Sequence, residues 1–361
     1  MKAFFLNSML VADLAAGTLQ RQPLPQKAFE AGDLSVLAEL FPGDVVIAAG
    51  RLSGSYAPSS SVLALYAGGK GAIVKGHSAP ALRRCGLDAV VIKGHAASPC
   101  GLVLDEKAAA LVPADPSAEV PTQRAALERG AKLLRGTYAD TQAVCIVTGP
   151  AAFLGSSAAA LAVEPGLAPR SAELALALAA RRVAGICFNG ARPFLSPVPL
   201  DDPARTSAKV ERLTASSLAA LIKAAKPDFA GKAPAAVGRS VACFGCTAPC
   251  GFWMPVKGGH AASTGIMGLA ALCEAGAPDG RIAEVLALAC RFGLDPEGLA
   301  ALAKGDLPDS LVACVQAASA VPEMDMGLDI VRKGAFFGVC PFYLKRFPEA
   351  LDHLEKYQAQ A

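Results

Sequence analysis

Three cysteines fall within the eight residues CFGCTAPC, from Cys243 to Cys250. No other feature constrains the fold as strongly, because thiols this dense need a common object to hold. Thiolate is a soft ligand that suits iron–sulfur clusters, zinc and copper(I). Intervals of two and three residues let one short loop wrap a small inorganic body. Gly245 and Gly251 stand beside ligand positions, where the backbone must come close. Structural zinc usually takes cysteines in separated pairs, so a triplet in one loop favours a cluster. The downstream candidates for a fourth ligand are Cys273, Cys290, Cys314 and Cys340. Cys273 and Cys314 lie on apolar helical faces and read as core, and Cys290 ends a helix. Cys340 lies in GAFFGVCPFYL, where Gly338 admits a close backbone and Pro341 fixes the exit. Local chemistry favours Cys340.

The remaining cysteines do not form a framework. There are 11 in 361 residues, an odd number without regular spacing, in a chain too large to need stapling. Cys145 and Cys187 sit in the strand-like runs AVCIVTG and AGICFNG, where cysteine serves as a small core residue. A net charge of +3 with no basic run longer than Arg181–Arg182 excludes a nucleic-acid footprint. The apolar start is broken by Asn7 and Asp13, unlike a secretory signal. The uncharged stretch 143–163 is broken by Gly149 and Pro150 and is rich in alanine, so it reads as a strand, VCIVTG, and a following helix rather than a membrane span. The expectation is a soluble, cytoplasmic protein with no membrane and no nucleic-acid partner.

Periodicity divides the chain. Up to about Phe194, short β-branched runs alternate with helical segments: a hairpin turning at Ala15–Gly17, strands in DVVIAAG and DAVVIKGH, and a helix opened by Thr122. IVKGH at Ile73–His77 is echoed by VIKGH at Val91–His95, a repeated strand end with polar tips. The proline-rich run Ser196–Ala204 marks a boundary. Beyond it, stripes such as Ile282, Val285, Leu286 and Ala289 have helical spacing. The predicted fold is α+β: a β-rich N-terminal domain over 1–200 and an all-helical, metal-binding C-terminal domain over 205–361. On this division the N-terminal half contributes no ligand.

Several elements in order resemble the aldehyde:ferredoxin oxidoreductase family of tungsten- or molybdenum-pterin enzymes. They are LVADLAAGTLQRQPL, VVIAAGRLSGSYAPSSSVLAL, CGLDAVVIKGHA, the loop CFGCTAPCG and the remote GVC at Gly338–Cys340. The resemblance implies a β-rich base with helical domains, and one [4Fe–4S] cluster held by Cys243, Cys246, Cys250 and Cys340. It also implies a shortened and divergent member. In the family each pterin is held by Asp-x-x-Gly-Leu-(Cys or Asp). Here Cys290 leads CRFGLD and Ala335 leads AFFGVC, and neither offers a carboxylate. Ser61 stands where the family has an arginine, and two glycine–arginine runs have no counterpart.

Three functions follow as expectations. The first is an iron–sulfur redox protein that transfers electrons without a competent pterin site, with a ferredoxin or a larger oxidoreductase subunit as partner. The second is an aldehyde:ferredoxin oxidoreductase that makes carboxylic acids with a tungsto- or molybdopterin. The third is a non-enzymatic scaffold with a structural cluster. A homodimer is compatible with all three. His260, after two glycines, reads as a polar loop residue or a proton relay.

Overall fold

The computed structural model describes residues 5–55, 59–135, 143–193, 239–246, 250–256, 259–263 and 265–321, together with 222, 223, 226, 228–232, 333, 335–337, 339–341, 344 and 352. The boundary at Ser196–Ala204 lies outside these residues, as does most of the stripe from Val210 to Ile222. The described chain forms two mixed sheets. The first comprises β1 (Met9–Asp13), β2 (Thr18–Gln22), β3 (Val45–Ala49), β4 (Leu63–Ala67), β5 (Lys70–Val74) and β6 (Ala89–Lys93) in the order β2-β1-β6-β3-β4-β5. β1 and β6 pair in parallel, and the other pairs are antiparallel.

Side chains alternate across this sheet as the two-residue period of a strand requires. Val45, Ile47, Val90 and Ile92 face one apolar cluster, while Val46, Ala48, Ala89 and Val91 face another. The second cluster is closed by the helices α1 (Gln26–Ala31) and α2 (Val36–Leu40) through Ala28 and Leu37. The first is closed by α3 (Ser78–Arg84) and by the second sheet. A fully buried pair, Arg83 with Asp88, ties α3 to β6, and Arg83 also donates to the carbonyl of Gly50 at 3.0 Å.

The second sheet runs β13-β14-β15-β11-β10-β9-β12-β7-β8. Its centre is β7 (Cys100–Leu104), β9 (Val144–Thr148) and β12 (Val183–Phe188), flanked by β8 (Ala109–Pro113), β10 (Leu161–Ala162) and β11 (Leu167–Ala168). Val144, Ile146, Ile186 and Phe188 face the shared core between the sheets, with α6 (Ala172–Ala180) packed there as well. Cys145, Val147 and Cys187 face outward, toward α4 (Val120–Arg135). Gly101 makes that packing possible, since a Cβ there would stand 2.2 Å from Leu127 Cδ2.

The C-terminal half is largely helical, with α7 (Met267–Glu274), α8 (Asp279–Phe292) and α9 (Leu311–Ala317). The stripe Ile282, Val285, Leu286 and Ala289 is buried as the periodicity predicts. It is not all helical. β13 (Arg239–Val241), β14 (Gly251–Val256) and β15 (Gly259–Ser263) extend the second sheet, with β15 parallel to β11. Phe252 and Met254 of β14 share one core with Val147 and Ile282, so that core draws on both sides of the expected boundary. Two local expectations also change. The helix after VCIVTG is only α5 (Pro150–Phe153), and the alanine-rich remainder enters β10. Thr122 lies inside α4, which begins at Val120.

Candidate functional site

Cys243 follows β13 and Cys250 immediately precedes β14, so the three-cysteine loop joins the edge strand of the second sheet to its neighbour. The loop turns through Gly245, whose φ of 63° lies in the left-handed region that a side chain disfavours. The amide of Cys246 donates to the carbonyl of Cys243 at 3.1 Å and tightens the turn.

The first sheet then reaches across to this loop. Ser59 is fully buried and makes three links. Its amide donates to the carbonyl of Gly245 at 3.0 Å. Its hydroxyl donates to Cys246 Sγ at 3.1 Å. Its carbonyl accepts from the amide of Cys340 at 3.2 Å. One serine therefore joins the cysteine loop to the remote cysteine. Its positive φ of 57° is unusual for a residue with a side chain, and the surrounding bonds hold it there. Two further amides, of Arg51 and Leu52, donate to the carbonyls of Phe336 and Phe337 at 3.0 and 2.8 Å. Arg51 also lies over the Phe336 ring at 4.7 Å. Phe336 and Phe337 are thus docked against the loop that follows β3.

The second contact comes from the end of β5. The amide of Phe244, beside Cys243, donates to the carbonyl of Gly76 at 3.2 Å. Lys75, one residue earlier, is half-buried and interacts electrostatically with Cys340, Cys250, Cys243 and Cys246. Burial alone would lower its pKa, yet those four sulfurs hold it above the ordinary lysine value. Burial likewise pushes the Cys243 thiol well above its usual range, with Cys250, Cys246 and Cys340 adding to the effect. Cys250 is pushed up to about 12, chiefly by burial and against the pull of Lys75. Burial thus favours neutral thiols at Cys243 and Cys250, and coordination to a metal body would replace the proton.

The four cysteines singled out from the sequence are therefore mutual neighbours. Among the described residues no three His, Cys, Asp or Glu side chains converge closely enough to share a single metal ion. That does not oppose an iron–sulfur cluster, whose thiolates surround a body of several atoms rather than one point. Four soft donors, a nearby ammonium and a hydroxyl donating to sulfur form a donor set that fits such a cluster.

The other cysteines lie elsewhere. Cys145 and Cys187 stand opposite each other in β9 and β12. Cys273 and Cys314 are buried in the core beside α7 and α9. Cys290 donates to the carbonyl of Ala262 at 3.6 Å. His260 lies exposed on β15, stacked on Trp253 at 5.6 Å, and is not in a loop. His353 lies outside the described residues. Sequence reasoning missed Ser59 and Lys75. The repeated IVKGH and VIKGH gave a signal for Lys75, but it did not say which copy would face the cysteines.

Residues 42–190 match the family described as Aldehyde ferredoxin oxidoreductase, N-terminal domain. Over that stretch the chain is similar to the family's N-terminal domain. Its fold also resembles a solved structure titled "Active site complex BamBC of Benzoyl Coenzyme A reductase in complex with 1,5 Dienoyl-CoA". The TM-score is 0.63 at 14% identity, over 98% of this chain and 65% of that one. The chain thus spans about 65% of the length of the structure it matches. No curated protein matches it. Among the described residues no helix is long and apolar enough to cross a membrane.

Proposed function

We propose that the protein is an iron–sulfur electron carrier that holds one [4Fe–4S] cluster on Cys243, Cys246, Cys250 and Cys340 and lacks a competent metallopterin site. The observation that carries this reading is Ser59, which binds the loop and Cys340 through consecutive backbone groups and donates to Cys246 Sγ. When bound, such a cluster supplies one-electron chemistry at a potential set by burial and by hydrogen bonds to sulfur. Ser59 supplies such a bond.

The positions that would hold a pterin support the second half of the proposal. In CRFGLD the Cys290 thiol is engaged with Ala262. The Asp295 carboxylate accepts from the amides of Arg170 and Glu297 at 2.6 and 3.0 Å, so its lone pairs serve the backbone. Ala335 presents a methyl group, and Ser61 is fully buried. A large polar cofactor would find neither the carboxylates nor the arginine that the family pattern provides, and each missing contact costs about 1–3 kcal/mol.

The partner in this reading is a ferredoxin or the catalytic subunit of a larger oxidoreductase. The resemblance to part of an active-site complex supports a role beside other chains. An anaerobic titration with viologen dyes tests the proposal. One reversible one-electron couple is expected, together with no aldehyde-dependent dye reduction. Catalytic dye reduction by any aldehyde would instead favour the oxidoreductase reading.

A further inference from the structure

We infer that Lys75 is the charge partner of the four cysteines and raises the reduction potential of what they hold. The inference rests on the iron–sulfur reading above. Lys75 follows the last residue of β5, an edge strand of the first sheet, and the next carbonyl, that of Gly76, accepts from Phe244 at 3.2 Å. That bond pins the strand end against the loop between Cys243 and Cys246. The ammonium lies within electrostatic reach of all four sulfurs at once. The sequence sets a matched comparison beside it. Lys93 ends β6 in the same KGH context, but stands opposite Asp13 in β1, and its carbonyl accepts from Leu14 at 2.9 Å. Two lysines with the same local sequence are thus placed against different partners.

The physical consequence has a definite sign. Reduction by one electron from the dithionite radical adds negative charge among four thiolates; no bond forms or breaks, and Lys75 keeps its proton. A nearby cation favours the more negative state, and more strongly where water is excluded. Removing the cation therefore lowers the potential. Lys75 acts through electrostatics on the site rather than by binding a substrate, so it is a positioning residue. Its effect belongs in the potential and not only in activity.

The test compares wild-type protein with Lys75→Met, Lys75→Arg and Lys93→Met, each purified anaerobically. Iron and sulfide are assayed, and the midpoint is read by EPR-monitored titration. Lys75→Met is expected to reduce the equilibrium constant for one-electron reduction at least tenfold, which is about 59 mV toward the negative. Lys75→Arg, which keeps the charge, and Lys93→Met are expected to stay near the wild-type midpoint. A cluster-bearing Lys75→Met protein with an unmoved midpoint would overturn the assignment. If Lys75→Met fails to hold iron, Lys75→Arg decides: a cluster at the wild-type midpoint supports the charge role, and loss of the cluster there too refutes it in favour of shape. Absence of iron and sulfide from the wild-type protein would refute the underlying iron–sulfur reading and this inference with it. An unmoved midpoint refutes this inference alone.

Discussion

Replacing Cys340 with serine is expected to strip most iron and sulfide from the protein, whereas Cys314→Ser is expected to leave both in place. Both cysteines are buried, so exposure does not separate them. Their surroundings do. The amide of Cys340 donates to the carbonyl of Ser59, whose hydroxyl and amide engage Cys246 and Gly245. Cys314 lies in α9 within the second core, its sulfur 3.9 Å from the carbonyl of Pro308. A serine hydroxyl is a poor replacement for a soft thiolate ligand, so the loss at Cys340 falls on the cofactor. At Cys314 the change leaves the candidate ligands untouched, and burying a hydroxyl in that core costs about 1–3 kcal/mol of stability. Anaerobic iron and acid-labile sulfide assays on the two variants read the difference. Equal retention would show that the fourth ligand is not Cys340.

Removing the cluster by oxidation and chelation is expected to lower the melting temperature by on the order of 10 °C. A group bound by the native chain alone stabilises it by mass action, and structural metal sites carry binding free energies of about 10–16 kcal/mol. Even a third of that is large for a chain of this size. The pattern of hydrogen exchange should be more telling than the temperature. The amides of Phe244 and Cys340 are expected to lose protection, and those of Arg51, Leu52 and Ser59 with them, because each closes a contact between the first sheet and the cysteine-bearing segments. The amides of β9 and β12 should be unchanged, since those strands pair within the second sheet. The response is thus expected to reach Arg51, Leu52 and Ser59 in the N-terminal half, although that half contributes no candidate ligand. Unchanged protection at Ser59 and Cys340 would contradict the coupling.

The sequence made the local elements legible where period and turn chemistry agree. The hairpin of β1 and β2 turns where LAAG predicts it, and the largely apolar runs DVVIAAG and VCIVTG are central strands. The stripe of α8 is buried on its expected face. Failures fall where tertiary pairing overrides local pattern. AALAV has helix-forming composition, yet Gly155 adopts a φ of 75° and the chain then enters β10. The strands between 239 and 263 escaped notice because GFWMPV and GHAAS are short and lack clean alternation. The candidate ligands were legible from density and from the context of Cys340. Ser59 and Lys75 were not, because their roles depend on which sheet edge meets which loop. That meeting spans 187 positions between Ser59 and Cys246.

One preparation tests the central claim directly: protein made in a host supplied with tungsten and molybdenum, purified without oxygen, and assayed for iron, acid-labile sulfide, both heavier metals and pterin fluorescence. About four irons and four sulfides per chain are expected, with neither tungsten nor molybdenum and no pterin. Stoichiometric zinc without sulfide would contradict the cluster, and one tungsten or molybdenum per chain with pterin would contradict the carrier.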